Sequence, residues 1–216
     1  VVPILSGGTG LYVQSLLENY NFNDIKPNTK LRIELDELYT EYGVDGLREY
    51  AQNLAEKGGI EIKYTDKHRL YRAIELMTAG DYKSLIKQTK EGLSYKGPVI
   101  GLQRERSDLY DRINRRVEIM FEKGLVNEVK QLLKNGVNPN CQAFKGIGYK
   151  EVVQYLEGLI SYDACVDLIQ KNTRHFAKRQ ITWYKRMPYI EWITIDSQTT
   201  EAEIYGMACN IIDSSF

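Results

Sequence analysis

Clusters of basic side chains and one glycine-rich loop carry the chemistry that this sequence suggests. Residues 171–186 include six lysines and arginines and no aspartate or glutamate, although the whole chain is balanced, with 29 Lys and Arg against 29 Asp and Glu. Helical spacing places five residues on one side, which are Lys171, Arg174, Lys178, Thr182 and Lys185. The opposite side is expected to pack and holds Phe176, Ala177, Trp183 and Tyr184. The unpaired basic face predicts an anionic partner, phosphate of an RNA or of a small substrate, whereas an ordinary amphipathic surface helix is the alternative.

A second candidate is the loop at residues 6–10, which reads SGGTG. It follows an apolar run at residues 1–5 and precedes an apolar-periodic helix, so the pattern predicts a strand, a turn and a helix of a parallel α/β sheet. Successive glycines let the backbone approach a ligand, and free N–H groups at the helix N-terminus attract an anion. The Walker pattern G-x-x-x-x-G-K-[ST] occurs nowhere in the chain, so a plain strand-to-helix turn is an equal alternative.

Two arginine-rich turns form the third candidate. Arg69 and Arg72 are three residues apart and share one face of a helix, and Arg112, Arg115 and Arg116 form the second turn. Because the planar guanidinium group binds phosphate oxygens in pairs, these turns and the basic helix could together surround a polyphosphate. Surface ion pairs are the alternative, with acidic neighbours at Asp66, Glu75 and Asp111.

The composition limits the class of protein. With 216 residues, 43% of them hydrophobic, the chain is long enough to bury a core, and its zero net charge restricts any nucleic-acid site to a local patch. The three cysteines make no C-x-x-C pair and the two histidines lie far apart, which favours a reducing compartment and no zinc site. No apolar run approaches the ~18 residues of a membrane span and no signal peptide is visible. We therefore expect a cytoplasmic protein with no membrane partner.

The elements that must position these groups form an incomplete α/β core. Strands are predicted at residues 97–102 and 190–195 in addition to residues 1–5. A single strand cannot stand alone, and the first strand opens the chain without an initiator Met, so we expect a fragment of a longer protein. Residues 26–95 show helical spacing and lie between core strands, which predicts an inserted helical subdomain. Residues 1–25 and 96–216 then make the α/β core with its C-terminal helices, and the chain is predominantly helical.

Glycines and capping residues predict the helix boundaries. In the insertion, helices are interrupted at Gly43, at Gly58 and Gly59, and at Gly80. Ser107 is the predicted N-cap of a helix that ends at Gly124, with a core stripe of Leu109, Ile113, Val117 and Met120. Further helices are predicted at residues 128–133, 151–156 and 201–213, and Ser161 is predicted to cap the long basic helix.

Seven segments occur in a characteristic order. They are SGGTGLY at 6–12, DKHRLYRAIEL at 66–76, LYDRINRRVEIM at 109–120, GLVNEV at 124–129, KGIGYKE at 145–151, YLEG at 155–158 and TRHFAKRQITWYKR at 173–186. Together they resemble the tRNA dimethylallyltransferase family, which prenylates N6 of adenosine 37 beside the anticodon. The resemblance implies a P-loop-kinase-like α/β core with a helical insertion, Mg²⁺, dimethylallyl diphosphate as donor and tRNA as acceptor. We expect a monomer.

The same resemblance assigns functional residues. Thr9 lies at the family's threonine beside the reacting adenosine. The family's tRNA contacts fall on Lys30, His68, Arg69, Leu70, Tyr71, Arg72, Lys145, Gly146, Ile147, Gly148, Tyr149, Lys150, Lys178, Arg179, Gln180, Ile181, Thr182, Trp183, Tyr184 and Lys185. From their chemistry we add Arg112, Arg116 and Arg174 for the diphosphate and an adjacent backbone phosphate, which with Thr9 make up the predicted catalytic residues. No metal ligand is predicted.

This chain departs from the family at its beginning. Family members start with a strand, a Walker-type loop and an Asp-Ser-x-Gln-like segment, whose aspartate is the base on the adenine amine. None of these segments occurs here, so we expect no independent activity from residues 1–216 alone.

Prenyl transfer to an amine makes two physical demands. The charge of the departing diphosphate must be neutralised, and the adenine must be held outside its stack in a pocket between domains. Tyr149, Trp183 and Tyr184 could stack on loop bases, although an inward-packed Trp183 is equally expected. Two other functions remain open, a small-molecule P-loop kinase and a noncatalytic RNA-binding module. An all-helical isoprenoid synthase is disfavoured because the chain has no D-D-x-x-D pattern.

Overall fold

Helices dominate the computed structural model, which describes residues 3–20, 24–86 and 93–215. In chain order the elements are α1 (Gly10–Leu17), α2 (Thr29–Lys57), α3 (Lys67–Thr78), β1 (Val99–Arg104), α4 (Arg106–Glu122), α5 (Leu125–Lys134), α6 (Tyr149–Leu156), α7 (Tyr162–Tyr184), β2 (Ile190–Ile195) and α8 (Glu201–Ser215). Single 3₁₀ turns cover Lys83–Leu85 and Gln142–Lys145. The expectation of a predominantly helical chain is confirmed.

The chain divides into two compact units. The core unit consists of residues 1–13 and 95–216, and the helical unit of residues 14–94. The sequence placed these two breaks after residues 25 and 95, whereas in the structure the first break lies inside α1. The second half of α1 is tied to the helical unit because the amide of buried Gln14 donates to both carboxylate oxygens of Glu18 at 3.0 Å, and the carbonyl of Leu17 accepts from the N–H of Ser94 at 2.8 Å.

A two-stranded parallel sheet lies in the core unit. β1 and β2 pair so that Val99 faces Ile190 and Arg104 faces Ile195, and both strands were predicted. The strand predicted at residues 1–5 is wrong in its described part, because residues 3–5 have no regular structure and Ile4 is 92% exposed. No described backbone pairs with residues 3–5, and a strand without a neighbour leaves its N–H and C=O groups unpaired. Residues 1 and 2 lie outside the described part of the chain.

The helical unit is built on α2 and α3, which pack together. Their facing sides bury Leu35, Leu47, Leu70 and Ile74. Gly43 interrupts α2 as predicted, because its φ of 66° and ψ of −154° favour a residue without a side chain. The break divides α2 into two helical segments.

Side chains cap the beginnings of the helices. Asn28 caps α2 and Asp66 caps α3, each by accepting a hydrogen bond from the backbone N–H three residues later. Ser161 caps α7 in the same way, as predicted, at 3.2 Å. The cap of α4 is Glu105 rather than the predicted Ser107, since the Glu105 carboxylate accepts from the N–H of Ser107 at 2.6 Å.

The core unit packs α4, α5, α6 and α7 around one apolar cluster. Its buried members are Val117, Phe121, Leu125, Val129, Phe144, Val152, Cys165 and Ile169. Of the stripe predicted on α4, Ile113 and Val117 are buried while Leu109 and Met120 are half-buried. Gly124 lies between α4 and α5, where it is the N-cap of α5 and has a φ of 94°.

All three cysteines are free thiols, Cys165 buried, Cys141 and Cys209 half-buried. Burial raises the pKa of the Cys165 thiol to about 11, with a smaller contribution from the Glu151 carboxylate. Among the helices of the described ranges, none is both long enough and apolar enough to cross a membrane.

Candidate functional site

The glycine loop at residues 6–10 lies against α7 within the core unit. The side-chain amide Nε2 of Gln180 donates to the carbonyl oxygen of Gly8 at 2.8 Å. A Cβ atom added to Gly10 would lie 2.4 Å from Cδ1 of Trp183, so the indole ring packs directly on the loop backbone. Position 10 therefore requires glycine for this close approach. The loop and the basic helix, which the sequence suggested separately, belong to one site.

Thr9 lies between these two contacts and is exposed. Its carbonyl oxygen accepts from the N–H of Tyr12 at 2.9 Å and of Val13 at 3.1 Å, and these bonds begin α1. The partial positive charge of a helix N-terminus favours an anionic neighbour there. The assignment of Thr9 to the reacting adenosine stays a prediction.

The predicted basic face of α7 is open to solvent. Lys171, Lys178 and Lys185 are exposed, and none forms an ion pair with another described residue. By helical spacing Gln180 and Trp183 lie on the opposite side of the helix. One side of α7 therefore holds the glycine loop, and the other presents uncompensated positive charge.

Two side chains of α7 depart from the predicted faces. Arg174 donates to Oδ1 of Asn114 at 2.5 Å, so its guanidinium turns toward α4 rather than joining the open lysines. Phe176, which was predicted to pack, is 41% exposed, and the guanidinium carbon of Arg179 lies 5.8 Å from its ring centroid. The buried residues of α7 are Cys165 and Ile169, both in its first half. Among the described residues, the packing of α7 on the apolar cluster of the core unit therefore ends before position 176.

The end of α7 carries a half-buried aromatic pair. Nε1 of Trp183 and the hydroxyl of Tyr184 are buried and have no hydrogen-bond partner among the described residues. Burial also raises the pKa of Tyr184. Trp183 takes the inward position that the sequence offered as the alternative to base stacking. Of the other residues predicted to contact tRNA here, Ile181 is half-buried and Thr182 is exposed.

The predicted catalytic arginines do not share one face. Arg112 and Arg116 are exposed one helical turn apart on α4, and neither forms an ion pair within the described ranges. At 100° per residue, Asn114 lies on the opposite side of α4 from this pair. Because Arg174 binds Asn114, the structure separates Arg174 from Arg112 and Arg116. The exposed pair remains the candidate for a diphosphate, and Arg174 makes a contact between helices.

A buried glutamate shapes the second glycine loop, residues 145–150. Gly148 has a φ of 105°, which residues with a side chain rarely adopt. Glu151, only 3% exposed, accepts from the N–H of Gly148 at 2.8 Å and from Nδ2 of Asn172 at 2.8 Å. Glu151 therefore joins this loop to α7.

Part of this second loop is available to a ligand. The exposed residues are Lys145, Gly146, Ile147 and Lys150, whereas Gly148 is buried and Tyr149 is half-buried. The hydroxyl of Tyr149 donates to the Glu128 carboxylate, and this bond raises the pKa of the phenol. The two exposed lysines are the residues here that fit a phosphate.

In the helical unit, burial divides the predicted tRNA segment at residues 68–72. His68 and Arg69 are exposed, as is Lys30 at the start of α2. Leu70 and Tyr71 are 0% and 5% exposed. Both side chains pack in the apolar cluster between α2 and α3 and present almost no surface to a partner, so their assignment to tRNA stays a prediction. They are core residues of the helical unit.

Arg72, the last residue of that segment, belongs to a network around buried Glu75. The Glu75 carboxylate accepts from Nε of Arg32 at 2.7 Å, from Nη1 of Arg72 at 3.2 Å and from the N–H of Asn28 at 3.0 Å. Nη2 of Arg72 also donates to the carbonyl oxygen of Ile25 at 2.7 Å. Burial by itself would raise the pKa of Glu75, but these hydrogen bonds outweigh it and hold the pKa below its ordinary value. The network joins the start of α2 to α3.

No protein-built metal centre is found in the described ranges, where no group of three or more His, Cys, Asp and Glu side chains could hold an ion. The Mg²⁺ that the resemblance implies stays a prediction. No metal ligand was predicted from the sequence.

Sequence reasoning missed two contacts that shape the site. Glu151 follows Gly148 by three residues, and this capping-box spacing could have identified it. The bond from Gln180 to Gly8 spans 172 positions, and no local pattern marks it. The sequence assigned Gln180 only as one of a run of tRNA contacts.

Comparison with known proteins identifies the family. The family model described as IPP transferase matches residues 1–187. A tRNA dimethylallyltransferase of Clostridioides difficile (strain 630) is 39% identical over 197 residues, which are 89% of this chain and 62% of that protein. A tRNA dimethylallyltransferase of Alkaliphilus metalliredigens (strain QYMF) is 37% identical over 214 residues, 97% of this chain and 68% of that protein. The chain belongs to the IPP transferase family.

Two solved structures are similar in fold. A tRNA isopentenylpyrophosphate transferase from Bacillus halodurans is 32% identical with a TM-score of 0.59, over 96% of this chain and 65% of that one. A tRNA delta(2)-isopentenylpyrophosphate transferase from Staphylococcus epidermidis is 32% identical with a TM-score of 0.60, over 95% of this chain and 67% of that one. The chain thus spans 62% and 68% of the length of the two curated relatives described above.

Proposed function

We propose that the protein transfers a dimethylallyl group from dimethylallyl diphosphate to N6 of adenosine 37 in the anticodon loop of tRNA. The family and the names of the relatives support tRNA as acceptor and a prenyl group as cargo. The observation that carries the proposal is the contact between α7 and the glycine loop at residues 6–10, which contains Thr9. It joins the residue expected beside the adenosine to a helix whose other side is open, basic and suited to phosphate.

The reaction requires one bond to form and one to break. N6 attacks the allylic carbon C1, the C1–O bond breaks, the electron pair leaves with the diphosphate, and N6 loses a proton. Arg112 and Arg116 are proposed to neutralise the leaving charge, and the Thr9 hydroxyl to align the adenine. Mg²⁺ is proposed to arrive with the diphosphate, since this ion commonly binds through substrate phosphates and keeps several waters.

Two further proposals rest on the pairing of the strands and on the state of the cysteines. The parallel pairing of β1 and β2, with four helices of the core unit between them in the chain, supports a P-loop-kinase-like core. The three free thiols support a cytoplasmic location for the protein, because disulfides are rare in reducing compartments such as the cytoplasm.

The direct test is to incubate the complete protein with Mg²⁺, dimethylallyl diphosphate and an anticodon stem-loop RNA, and to analyse the nucleosides by mass spectrometry. We expect prenylated adenosine from position 37 and none from a matched stem-loop with guanosine there. If the protein instead consumed ATP to phosphorylate a small alcohol and produced no modified adenosine, it would be a kinase. Tight RNA binding without transfer would indicate a binding module.

Thr9→Ala is expected to lower kcat about tenfold while the Kd for the stem-loop stays within about twofold. A positioning hydroxyl contributes mainly in the transition state, and a net hydrogen bond is worth roughly 1–1.5 kcal/mol. Single-turnover rates and filter binding separate the two quantities. Thr9→Ser keeps the hydroxyl and should retain most of the rate. An unchanged kcat in Thr9→Ala would make the loop a plain turn.

Replacing both Lys178 and Lys185 with alanine is expected to weaken binding to every stem-loop sequence. If both contact phosphates, the slope of log affinity against log salt should shrink by roughly 0.7–0.9 per contact. The free energy of unfolding should change by about 0.5 kcal/mol or less, because both side chains are exposed.

The matched control for this charge change is the double alanine variant of Lys130 and Lys134, exposed lysines on α5. It removes the same charge from the same unit and should leave the salt slope nearly unaltered. Equal slopes for wild type and the α7 variant would contradict phosphate binding by this face.

A further inference from the structure

We propose that Gln180 and Trp183 are positioning residues for Thr9, rather than tRNA contacts. The proposal rests on the proposed function and deepens it. The two opposite sides of α7 then have different roles. The lysines on one side bind phosphate, and Gln180 and Trp183 on the other side fix the loop that carries Thr9. Its consequence is a difference in kinetics, because a tRNA contact contributes to affinity and a positioning residue contributes to the rate of transfer.

The contacts fall on both sides of Thr9. Before it, the carbonyl oxygen of Gly8 accepts from Nε2 of Gln180 at 2.8 Å. After it, Gly10 lies under Trp183, where an added Cβ would be 2.4 Å from Cδ1, 2.7 Å from Cγ and 2.9 Å from Nε1. Gln180 and Trp183 are three residues apart, so they share a face of α7. A short segment held at both neighbours leaves its middle residue little freedom to move.

At positions 8 and 10 an added Cβ atom would strike a side chain of α7, although the backbone conformation of neither residue requires glycine. Neither has a φ in the left-handed range, so alanine would be unstrained in an open loop. A Cβ on Gly8 would lie 2.4 Å from Nε2 of Gln180. A Cβ on Gly7, in contrast, would meet no described atom within 4 Å. Of the three glycines in this loop, the two that touch α7 leave no room for a Cβ atom among the described residues.

The position of these side chains also limits contact with tRNA. Lys178 and Lys185 lie on the side of α7 away from Gln180 and Trp183. One N–H of the Gln180 amide donates to the carbonyl oxygen of Gly8, and the pyrrole edge of the Trp183 indole lies against Gly10. A base that bound to these same atoms would have to displace the loop.

The first test uses Gln180→Met in the complete protein, which keeps the length and neutrality of the side chain but removes the donor. We expect the single-turnover rate of prenyl transfer to fall about tenfold while the Kd for the stem-loop stays within twofold. The double alanine variant of Lys178 and Lys185 should show the reverse pattern. A Kd raised tenfold with an unchanged rate would overturn the proposal and return Gln180 to the tRNA contacts.

A double-mutant cycle tests the contact itself. Gly8→Ala should slow prenyl transfer at least fivefold, because the new Cβ atom displaces the Gln180 side chain. The control Gly7→Ala should reduce the transfer rate much less. Once Gln180 is shortened to alanine, adding Gly8→Ala should cost little more, since the atom it strikes is gone. Fully additive losses from Gly8→Ala and Gln180→Ala would contradict a direct contact between the two residues.

Hydrogen exchange provides a measurement that does not depend on activity. The amides of Tyr12 and Val13 bond to the Thr9 carbonyl, so loosening the loop in Gln180→Met should speed their exchange several-fold. Unchanged exchange would overturn the positioning role even if activity fell. If the wild-type protein does not prenylate the RNA, the proposed function fails while the exchange result still decides whether Gln180 holds the loop.

Discussion

In the complete protein, replacing both Arg112 and Arg116 with alanine is expected to slow the proposed prenyl transfer about 100-fold or more relative to the wild type. The loss of one preorganised donor to a developing anion commonly costs 100- to 1,000-fold. Both side chains are exposed on one side of α4, one turn apart, where their guanidinium groups can meet the same diphosphate. The measurement is the single-turnover rate at saturating RNA and donor, with donor affinity determined separately.

The matched control is the double alanine variant of Arg106 and Lys123, at the two ends of the same helix. Both are exposed, so this variant removes the same charge from α4. We expect its rate to stay within about threefold of wild type, because charge far from a reacting group acts only through a screened field. Equal losses in the two variants would show that net charge matters here and that Arg112 and Arg116 do not bind the diphosphate.

Glu75→Ala is expected to destabilise the helical unit by about 3 kcal/mol, since it removes the acceptor of a buried charge network. The Glu75 side chain is 1% exposed and receives hydrogen bonds from Arg32, Arg72 and the N–H of Asn28. The side chains of Arg32 and Arg72 are 43% and 33% exposed, so water can solvate them in the variant. This solvation limits the loss of unfolding free energy. Hydrogen exchange of the α3 core amides measures the opening free energy of this unit.

The same network gives the stability of the helical unit a pH dependence. The folded-state pKa of Glu75 lies below the ordinary 4.5, because the hydrogen bonds outweigh the effect of burial. Its contribution is therefore fully present above about pH 4.5 and is lost as the pH falls through the folded-state pKa. Glu75→Gln should remove this part of the acid dependence, whereas Glu34→Ala, an exposed position on α2, should leave it. An identical acid profile in Glu75→Gln and wild type would contradict the assignment.

Local patterns predicted the elements well where a cap, a break or an apolar run sets them. Ser161 begins α7, Gly43 interrupts α2, and the apolar runs at residues 97–102 and 190–195 correspond to β1 and β2. The predicted strand at residues 1–5 shows the limit of such reasoning. An apolar run becomes a strand only where another strand offers its backbone, and pairing is not a local property.

The sequence predicted the positive charge of the candidate site but not the tertiary contacts of its side chains. The exposed lysines of α7 follow from helical spacing and from the lack of nearby acids. The turn of Arg174 toward Asn114 and the bond from Gln180 to Gly8 join positions 60 and 172 residues apart, and tertiary packing alone selects them. Leu70 and Tyr71 were assigned to tRNA from a family segment, although their apolar spacing on α3 already indicated burial.

Because Cys165 is buried, the rate at which its thiol reacts with a reagent measures partial unfolding of the protein. A thiol with a pKa of about 11 and no exposed surface reacts with an alkylating reagent only when the apolar cluster around it opens. All three cysteines lie in the core unit, and residues 14–94 contain none. The rate at which Cys165 is labelled therefore measures opening of the core unit, and the helical unit contributes no cysteine signal. In a Glu75 variant, faster labelling would reveal that loosening one unit is transmitted to the other, and unaltered labelling that the two open independently.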